Sequence, residues 1–273
     1  MSLSHQTIAV IGAGNIGRAL VGGLISGGHL DPSRVRVTRR NPNGLEILHR
    51  KLPGVSAGID NKAAVKDASI IVLAVKPTNW LGVTEEIREF VSPGTLIVSV
   101  LAGLTTDRIA QEFPGHQPVV RTMPNTPMTV FKGATAICAG ASASAEHVEL
   151  VREMFEAVGR VERVPEYLMD AVTGLSGSGP AYVYMLIEAL TDAGVKQGLP
   201  RSTAFRLTKQ TVLGAAQLAD QTDKHPAILR DEVTTPGGTS IAAIAELEQH
   251  GLRTMFIHAV ATATERSKEL SGN

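Results

Sequence analysis

Short apolar runs alternate with helix-like segments over the first 164 residues. Many of the runs are rich in β-branched side chains, which is typical of strands buried on both faces of a parallel sheet. They cover residues 7–11, 34–38, 70–75, 95–100, 118–122, 134–139 and 160–164. Residues 143–158 instead have helical spacing, with one apolar face formed by Val148, Val151, Met154, Phe155 and Val158. This alternation predicts a Rossmann-type, doubly wound parallel sheet.

The pattern changes after residue 164, where strand signals stop and helical spacing continues to the end of the chain. The change predicts two domains, a Rossmann-type sheet domain over residues 1–164 and an all-helical domain over residues 165–273. Residues 173–180 read as a glycine–serine loop that leads into a helix with Pro180 in its first turn.

The helix predicted over residues 181–194 is apolar on almost every side, from Tyr182 to Leu190. Such a helix is buried all round. A domain of about 110 residues encloses a helix completely only with difficulty, because small domains bury a limited share of their surface. The small residues of the next helix, over 202–219, support the same conclusion. We therefore expect the helical domain to form the core of a homodimer.

Composition excludes several functional classes. The 26 basic and 26 acidic residues of the 273-residue chain cancel, which argues against nucleic-acid or anionic-membrane binding through bulk charge. The longest apolar runs are too short to cross a bilayer, and the start of the chain does not resemble a secretion signal, so we expect a cytoplasmic protein. The eight histidines are scattered, which argues against a metal site. Cys138 lies in an apolar run and is expected to be a buried strand thiol.

The strongest local motif is Gly12-x-Gly14-x-x-Gly17, which follows the first apolar run and precedes a helical one. In a strand–turn–helix unit, the first glycine makes the turn, the second lets the backbone approach a pyrophosphate, and the third allows close helix packing. The phosphates would bind at the helix N-terminus. The predicted turn residues are Ile11, Gly12, Ala13, Gly14, Asn15, Ile16 and Gly17.

The end of the second strand indicates which dinucleotide is bound. An acidic residue at this position would bind the ribose 2′-hydroxyl of NAD. The chain has Thr38-Arg39-Arg40 there, and no acidic residue lies between Asp31 and Glu46. Arginine suits a 2′-phosphate, so NADP is favoured over NAD, with NADH use still possible. The alternative is that both arginines are solvated loop residues.

Further cofactor contacts are expected where other strands end, because ligands of open α/β sheets bind at the carboxyl edge. Lys76 could reach a phosphate or a ribose, or it could merely precede a helix. The residues expected along this edge are Asn61, Ala74, Val75, Lys76, Pro77, Val100, Leu101 and Ala102.

A second anion site is predicted in the helical domain at Thr235-Pro-Gly-Gly-Thr-Ser240. Two glycines precede a helix whose first residues carry hydroxyls, and backbone N–H groups there suit a small carboxylate. An equally weighted alternative is a simple helix cap formed by Thr239 or Ser240.

Five motifs in order resemble pyrroline-5-carboxylate reductases over essentially the whole chain. They are the glycine turn, Val75-Lys-Pro77, Arg121-x-Met-Pro-Asn-Thr-Pro127, Ser176-Gly-Ser-Gly-Pro-Ala181 and Val233-Thr-Thr-Pro-Gly-Gly-Thr-Ser240. The resemblance implies reduction of 1-pyrroline-5-carboxylate to L-proline with NADPH or NADH, and an intertwined dimer that often assembles into rings.

The resemblance also implies the substrate site. The carboxylate would be held by the segment 235–240, chiefly by the amides of Thr239 and Ser240, with Thr235 and Gly238 in the same segment. Glu166 and Glu232 match positions that border the pocket. Residue 240 is usually threonine in the family, and Ser240 retains the hydroxyl that could orient the ring nitrogen.

Two other functions remain open from the residues. A β-hydroxyacid dehydrogenase would need a catalytic lysine in the second domain, for which Lys196 and Lys209 are candidates without a matching motif. A regulatory protein could bind NADPH without turnover, but it would have no use for a second anion site.

Overall fold

The computed structural model describes residues 2–115 and 117–271. Its sheet has eight strands in the order β3-β2-β1-β4-β5-β6-β7-β8, all paired in parallel except β6 with β7. The strands are β1 (Ile8–Ile11), β2 (Val35–Thr38), β3 (Ser56–Gly58), β4 (Ile70–Leu73), β5 (Leu96–Ser99), β6 (Val119–Met123), β7 (Gly133–Ala139) and β8 (Gly159–Arg163). The predicted doubly wound sheet is confirmed, with one antiparallel pairing that the sequence did not indicate.

The α-helices of the sheet region lie between or after its strands. They are α1 (Asn15–Ser26), α2 (Leu45–Lys51), α3 (Asn61–Val65), α4 (Trp80–Ile87), α5 (Thr106–Ala110), α6 (Ala145–Glu156) and α7 (Met169–Val172). Short 3-10 helices occupy Leu3–His5, Pro32–Arg34, Pro42–Gly44, Pro77–Asn79, Arg88–Phe90, Thr126–Val130 and Glu166–Leu168.

The core of this region has two large hydrophobic layers, one on each face of the sheet, and a small third cluster formed by Ala136, Cys138 and Met169. Alternate residues of β1 point to opposite layers, Ile8 and Val10 to one and Ala9 and Ile11 to the other. The first layer includes the buried face of α6, and all five apolar residues predicted for that face are buried. The central strands β1, β4 and β5 are therefore covered on both faces, as their uninterrupted apolar sequences predict, whereas the edge strands β3 and β8 keep exposed residues.

The remaining α-helices are α8 (Gly179–Lys196), α9 (Arg201–Thr222), α10 (Pro226–Glu232), α11 (Thr239–Gln249) and α12 (Leu252–Ser271). Residues 173–180 are not the predicted loop, since Thr173–Gly177 form a π-helix that continues from α7. Hydroxyls support this turn, because Thr173 Oγ1 donates to the Met169 carbonyl and Ser176 Oγ donates to that of Val172. The prediction was wrong because the preference of serine and glycine for turns is weak. Here the serine and threonine hydroxyls bond to carbonyl groups of the preceding turn, so these residues are accommodated in the helix.

Contacts divide the chain into two compact units. One contains Met1–Ser178 with Thr262–Asn273, and the other contains Gly179–Ala261. The predicted boundary between residues 164 and 165 lies inside the first of these units, whose longer segment extends to Ser178. The functional division into residues 1–164 and 165–273 stays a prediction.

Candidate functional site

The glycine turn is fixed by neighbouring strands and tolerates no side chain at its first position. Gly12 has a φ of +102°, and a Cβ there would lie 2.5 Å from the Ala74 carbonyl oxygen. The N–H groups of Gly12 and Ala13 donate to the Thr38 carbonyl oxygen at 3.2 and 2.8 Å. The turn therefore joins the carboxyl ends of β1, β2 and β4.

The other two glycines have different surroundings. Gly14 is exposed, and a Cβ there would meet no atom within 4 Å, so a ligand can approach its backbone. At Gly17 a Cβ would lie 2.6 Å from the Gly12 carbonyl oxygen. The absence of a side chain there allows the close approach of α1. Gly14 caps α1 without any side-chain hydrogen bond to the first turn. The N-terminal N–H groups of this helix thus face an open space that suits a phosphate.

The end of β2 presents cations and no acid. Thr38 is buried, Arg39 is half-buried and Arg40 is exposed. The Arg39 backbone N–H donates to the Gly58 carbonyl oxygen at 3.0 Å, which fixes the start of its side chain. Within the described part of the chain, neither guanidinium makes a hydrogen bond or ion pair. Two unpaired guanidinium groups at this position fit a 2′-phosphate better than a bare ribose hydroxyl.

The ends of β4 and β5 continue the same edge. Ala74 and Val100 each donate a backbone hydrogen bond to the neighbouring strand, at 2.8 and 3.2 Å. Lys76 is exposed and immediately precedes the 3-10 helix Pro77–Asn79. Asn61 begins α3, and its amide donates to Glu86 at 2.9 Å. These residues flank the edge as predicted, and their contacts with a cofactor stay predictions.

A buried serine, which sequence analysis missed, shapes the loop after β5. Ser99 is fully buried, and its Oγ accepts the Leu101 N–H at 3.2 Å. Its carbonyl oxygen accepts from Thr122 Oγ1 at 3.0 Å. These bonds fix the course of residues 100–102 where they leave the sheet.

Glu166 closes a network that the sequence did not reveal, which we call the Glu166 clasp (Glu166, Thr106 and Arg121). Its Oε1 accepts the Thr106 N–H at 2.7 Å, and its Oε2 accepts from Thr106 Oγ1 at 2.8 Å. Arg121 Nη1 donates to Oε1 at 3.4 Å, and the Arg121 side chain is only 5% exposed. The carboxylate therefore completes the first turn of α5 and neutralises a buried guanidinium.

Cys138 is buried beside this clasp, as expected for a strand thiol. Burial raises the pKa of its thiol to about 12, and the negative charge of Glu166 contributes to the rise. The thiol therefore stays protonated and unreactive in the folded protein. This supports its structural assignment.

The second predicted anion site is a helix N-terminus that glycines leave uncovered. Thr235-Pro-Gly-Gly238 forms a turn in which the Gly238 N–H donates to the Thr235 carbonyl oxygen at 2.9 Å and Gly237 has a φ of +67°. Proline followed by a positive-φ glycine is the signature of a type II turn. A Cβ on Gly238 would clash with the Thr235 hydroxyl.

The residue that caps α11 is Gly238, which makes no side-chain hydrogen bond. The alternative in which Thr239 or Ser240 is the cap is therefore wrong, since both lie inside the helix. Thr239 is exposed and Ser240 is half-buried. Their hydroxyls have no partner among the described residues. The first-turn N–H groups of this 11-residue helix remain open to an anion.

The other acid predicted near this segment is already paired. Glu232 accepts from Lys224 Nζ at 2.5 Å, and about half of each side chain is exposed. The lysines considered for a hydroxyacid dehydrogenase lie elsewhere in the helices. Lys196 ends α8, and Lys209 lies 4.3 Å from the centre of the Phe205 ring.

The described residues contain neither a cluster of metal-ligating side chains nor a membrane-spanning helix. No group of three or more histidine, cysteine or acidic side chains that could hold a metal ion occurs there. Among the same residues, no helix has the length and apolar character needed to span a bilayer.

Known proteins resemble this chain over nearly its whole length. Relatives called pyrroline-5-carboxylate reductase are 41% identical in Methanosarcina acetivorans, over 98% of this chain and 99% of the relative, and 40% in Pisum sativum, over 97% and 96%. A solved pyrroline-5-carboxylate reductase from Coxiella burnetii is 41% identical with a TM-score of 0.92, covering 97% of this chain and 98% of that one. A Plasmodium falciparum pyrroline carboxylate reductase with NADP bound is 28% identical with a TM-score of 0.87, covering 98% and 99%.

The fold and the glycine turn place the chain among dinucleotide-dependent oxidoreductases. The family model for coenzyme F420-dependent NADP oxidoreductases matches residues 7–103, and that for pyrroline-5-carboxylate reductase dimerisation matches residues 166–270. The chain belongs to the pyrroline-5-carboxylate reductase family. The predicted fold class and enzyme class are confirmed. The alternatives of a hydroxyacid dehydrogenase and of a regulatory NADPH-binding protein are therefore not supported.

Proposed function

We infer that this chain catalyses the reduction of 1-pyrroline-5-carboxylate to L-proline, the last step of proline biosynthesis. The observation that carries the inference is the open N-terminus of α11 behind the Thr235–Gly238 turn, in a chain that matches pyrroline-5-carboxylate reductases over nearly its whole length. A small carboxylate is the anion that an uncharged helix N-terminus of this kind suits.

NADPH is proposed as the preferred reductant. The glycine turn fits a pyrophosphate because Gly14 leaves its backbone open, and Arg39 and Arg40 fit a 2′-phosphate because no acid competes for them. Residues 74–77 and 100–102 would contact the rest of the cofactor, with Asn61 nearby. When bound, the cofactor supplies the hydride from nicotinamide C4 to the imine carbon of the substrate ring.

The substrate carboxylate is proposed to bind the first-turn N–H groups of Thr239 and Ser240. The hydrogen bond from the Gly238 N–H to the Thr235 carbonyl oxygen holds the turn that exposes these groups. Glu166 and Glu232 are proposed to border the pocket, each with its carboxylate already engaged by the protein. Fixing the carboxylate in this way would determine which face of the ring accepts the hydride.

Ser240 is the residue proposed to touch the reacting group. A protonated imine is already a good hydride acceptor, so a strong general acid is unnecessary. The Ser240 hydroxyl would hydrogen-bond the ring nitrogen and orient it, and this hydroxyl has no competing partner among the described residues. An orienting contact of this kind contributes roughly tenfold to a hundredfold in rate.

The proposed assembly is a homodimer built on the helical domain, with rings of dimers as a possible higher order. The match to a dimerisation domain and the exposed apolar surface of α8 support it. NADH use and a cytoplasmic location stay predictions of the sequence.

Ser240 variants test the orienting role. Ser240→Ala should lower kcat/KM for pyrroline-5-carboxylate by about tenfold to a hundredfold, measured by the loss of NADPH absorbance, while NADPH binding is unchanged. Ser240→Thr is the matched control, because it keeps the hydroxyl and should retain activity. Full activity of the alanine variant would show that the hydroxyl has no such role.

A further inference from the structure

The side chain of Arg39 packs against Gly44, which has no side chain. Gly44 is buried although its neighbours Asn41, Pro42 and Asn43 are exposed. A Cβ built on Gly44 would collide with three atoms of the Arg39 guanidinium, Nη1, Cζ and Nε. The guanidinium therefore lies directly over the bare Cα of Gly44, just beyond the carboxyl end of β2.

Backbone geometry does not explain a glycine at this position. Gly44 has φ −94° and ψ −5°, a negative-φ turn conformation that residues other than glycine also adopt. The atoms nearest to an added Cβ all belong to Arg39, whose long side chain can move away. An alanine at position 44 would thus push against the Arg39 guanidinium, the group nearest to the added Cβ.

That displacement would matter because no polar contact within the described residues holds the Arg39 side chain in place. Its guanidinium has no hydrogen bond or ion pair among the described residues, although its backbone N–H is bonded to Gly58. Packing on Gly44 is a contact that restricts where this half-buried cation lies. A bidentate contact between arginine and phosphate depends on the position of the planar group.

We propose that Gly44 is a specificity-determining residue for NADP(H), because its missing side chain provides the surface that holds the Arg39 guanidinium at the 2′-phosphate position. Gly44 contacts no reacting group and acts only through Arg39. The inference rests on the proposed preference for NADPH over NADH.

Binding of the oxidised cofactors tests this assignment without turnover. Calorimetric titration of the full-length protein with NADP⁺ and with NAD⁺ gives a Kd for each. For Gly44→Ala we expect the Kd of NADP⁺ to rise about five- to tenfold, as for a weakened charge-assisted hydrogen bond, with the Kd of NAD⁺ unchanged. Gly82→Ala is the matched control, since a Cβ at Gly82 meets nothing within 4 Å.

Two further variants distinguish the role of Gly44 from the 2′-phosphate assignment on which it rests. Arg39→Gln should raise the Kd of NADP⁺ about tenfold to a hundredfold, and adding Gly44→Ala to it should change nothing more. Unchanged NADP⁺ binding in Gly44→Ala, or an effect of equal size in the Arg39→Gln background, would overturn the role of Gly44. Equal losses of NADP⁺ and NAD⁺ binding in Arg39→Gln would instead overturn the 2′-phosphate assignment itself.

Discussion

The sheet region and the helical unit Gly179–Ala261 are both rich in apolar residues, but they use them differently. In the sheet region, every residue of β1, β4 and β5 is buried by the chain itself. In the helical unit, the buried residue of α8 is Thr191, while Tyr184 and Met185 are 61% and 70% exposed.

The two units therefore obtain their stability in different ways. Two hydrophobic layers cover the central strands, so the apolar residues of these strands need no other molecule. The apolar surface of α8 has no such cover, and contiguous exposed apolar surface marks a site of association. The match of residues 166–270 to a dimerisation domain agrees with this reading.

A charge on α8 should give the largest effect of the variants that probe this comparison. Met185→Glu would place an unpaired carboxylate in the proposed interface, at a cost of several kcal/mol. We expect the dimer dissociation constant to rise by at least about a hundredfold, measured by sedimentation.

Val130→Glu is the matched control for Met185→Glu. Val130 is 65% exposed in the sheet region, so a carboxylate there should leave the oligomeric state unchanged. If Met185→Glu sedimented like the parent protein and Val130→Glu did not, the two regions would have been assigned the wrong way round.

A smaller effect is expected inside the sheet region, where the Glu166 clasp differs from the surface ion pairs. Glu166→Gln removes the charge that faces the buried Arg121, and unfolding free energy should fall by about 1–3 kcal/mol. That corresponds to a few degrees in Tm at fixed protein concentration.

The exposed pair of Glu149 with Arg152 on α6 provides the comparison for Glu166→Gln. Glu149→Gln should leave Tm essentially unchanged, because exposed ion pairs contribute little. Equal shifts in the two variants would show that burial does not distinguish these carboxylates.

Much of the sheet region could be predicted because its signals are local. The apolar runs at β1, β4 and β5 and the buried face of α6 follow from side-chain period alone. β3 and α2 were missed, because Ser56–Gly58 has no apolar run and α2 has a single buried residue, Leu48. The antiparallel pairing of β7 depends on strand neighbours that no local pattern encodes.

In the candidate site, too, local features could be predicted and contacts between distant residues could not. The glycine turn and the Thr235–Gly238 turn could be predicted, since each requires glycine for a backbone reason that the sequence displays. The Glu166 clasp joins residues 45 and 60 positions apart, so only the fold reveals it. The contact of Arg39 with Gly44 spans five positions, but it depends on a rotamer that no sequence pattern specifies.

Isotope transfer tests the central claim most directly. The protein is incubated with 1-pyrroline-5-carboxylate and NADPH that carries deuterium at C4 of the nicotinamide, on the face from which transfer occurs. Mass spectrometry of the product should find L-proline with one deuterium on the former imine carbon of the ring. Absence of proline, or proline without deuterium from either face of the cofactor, would contradict the account.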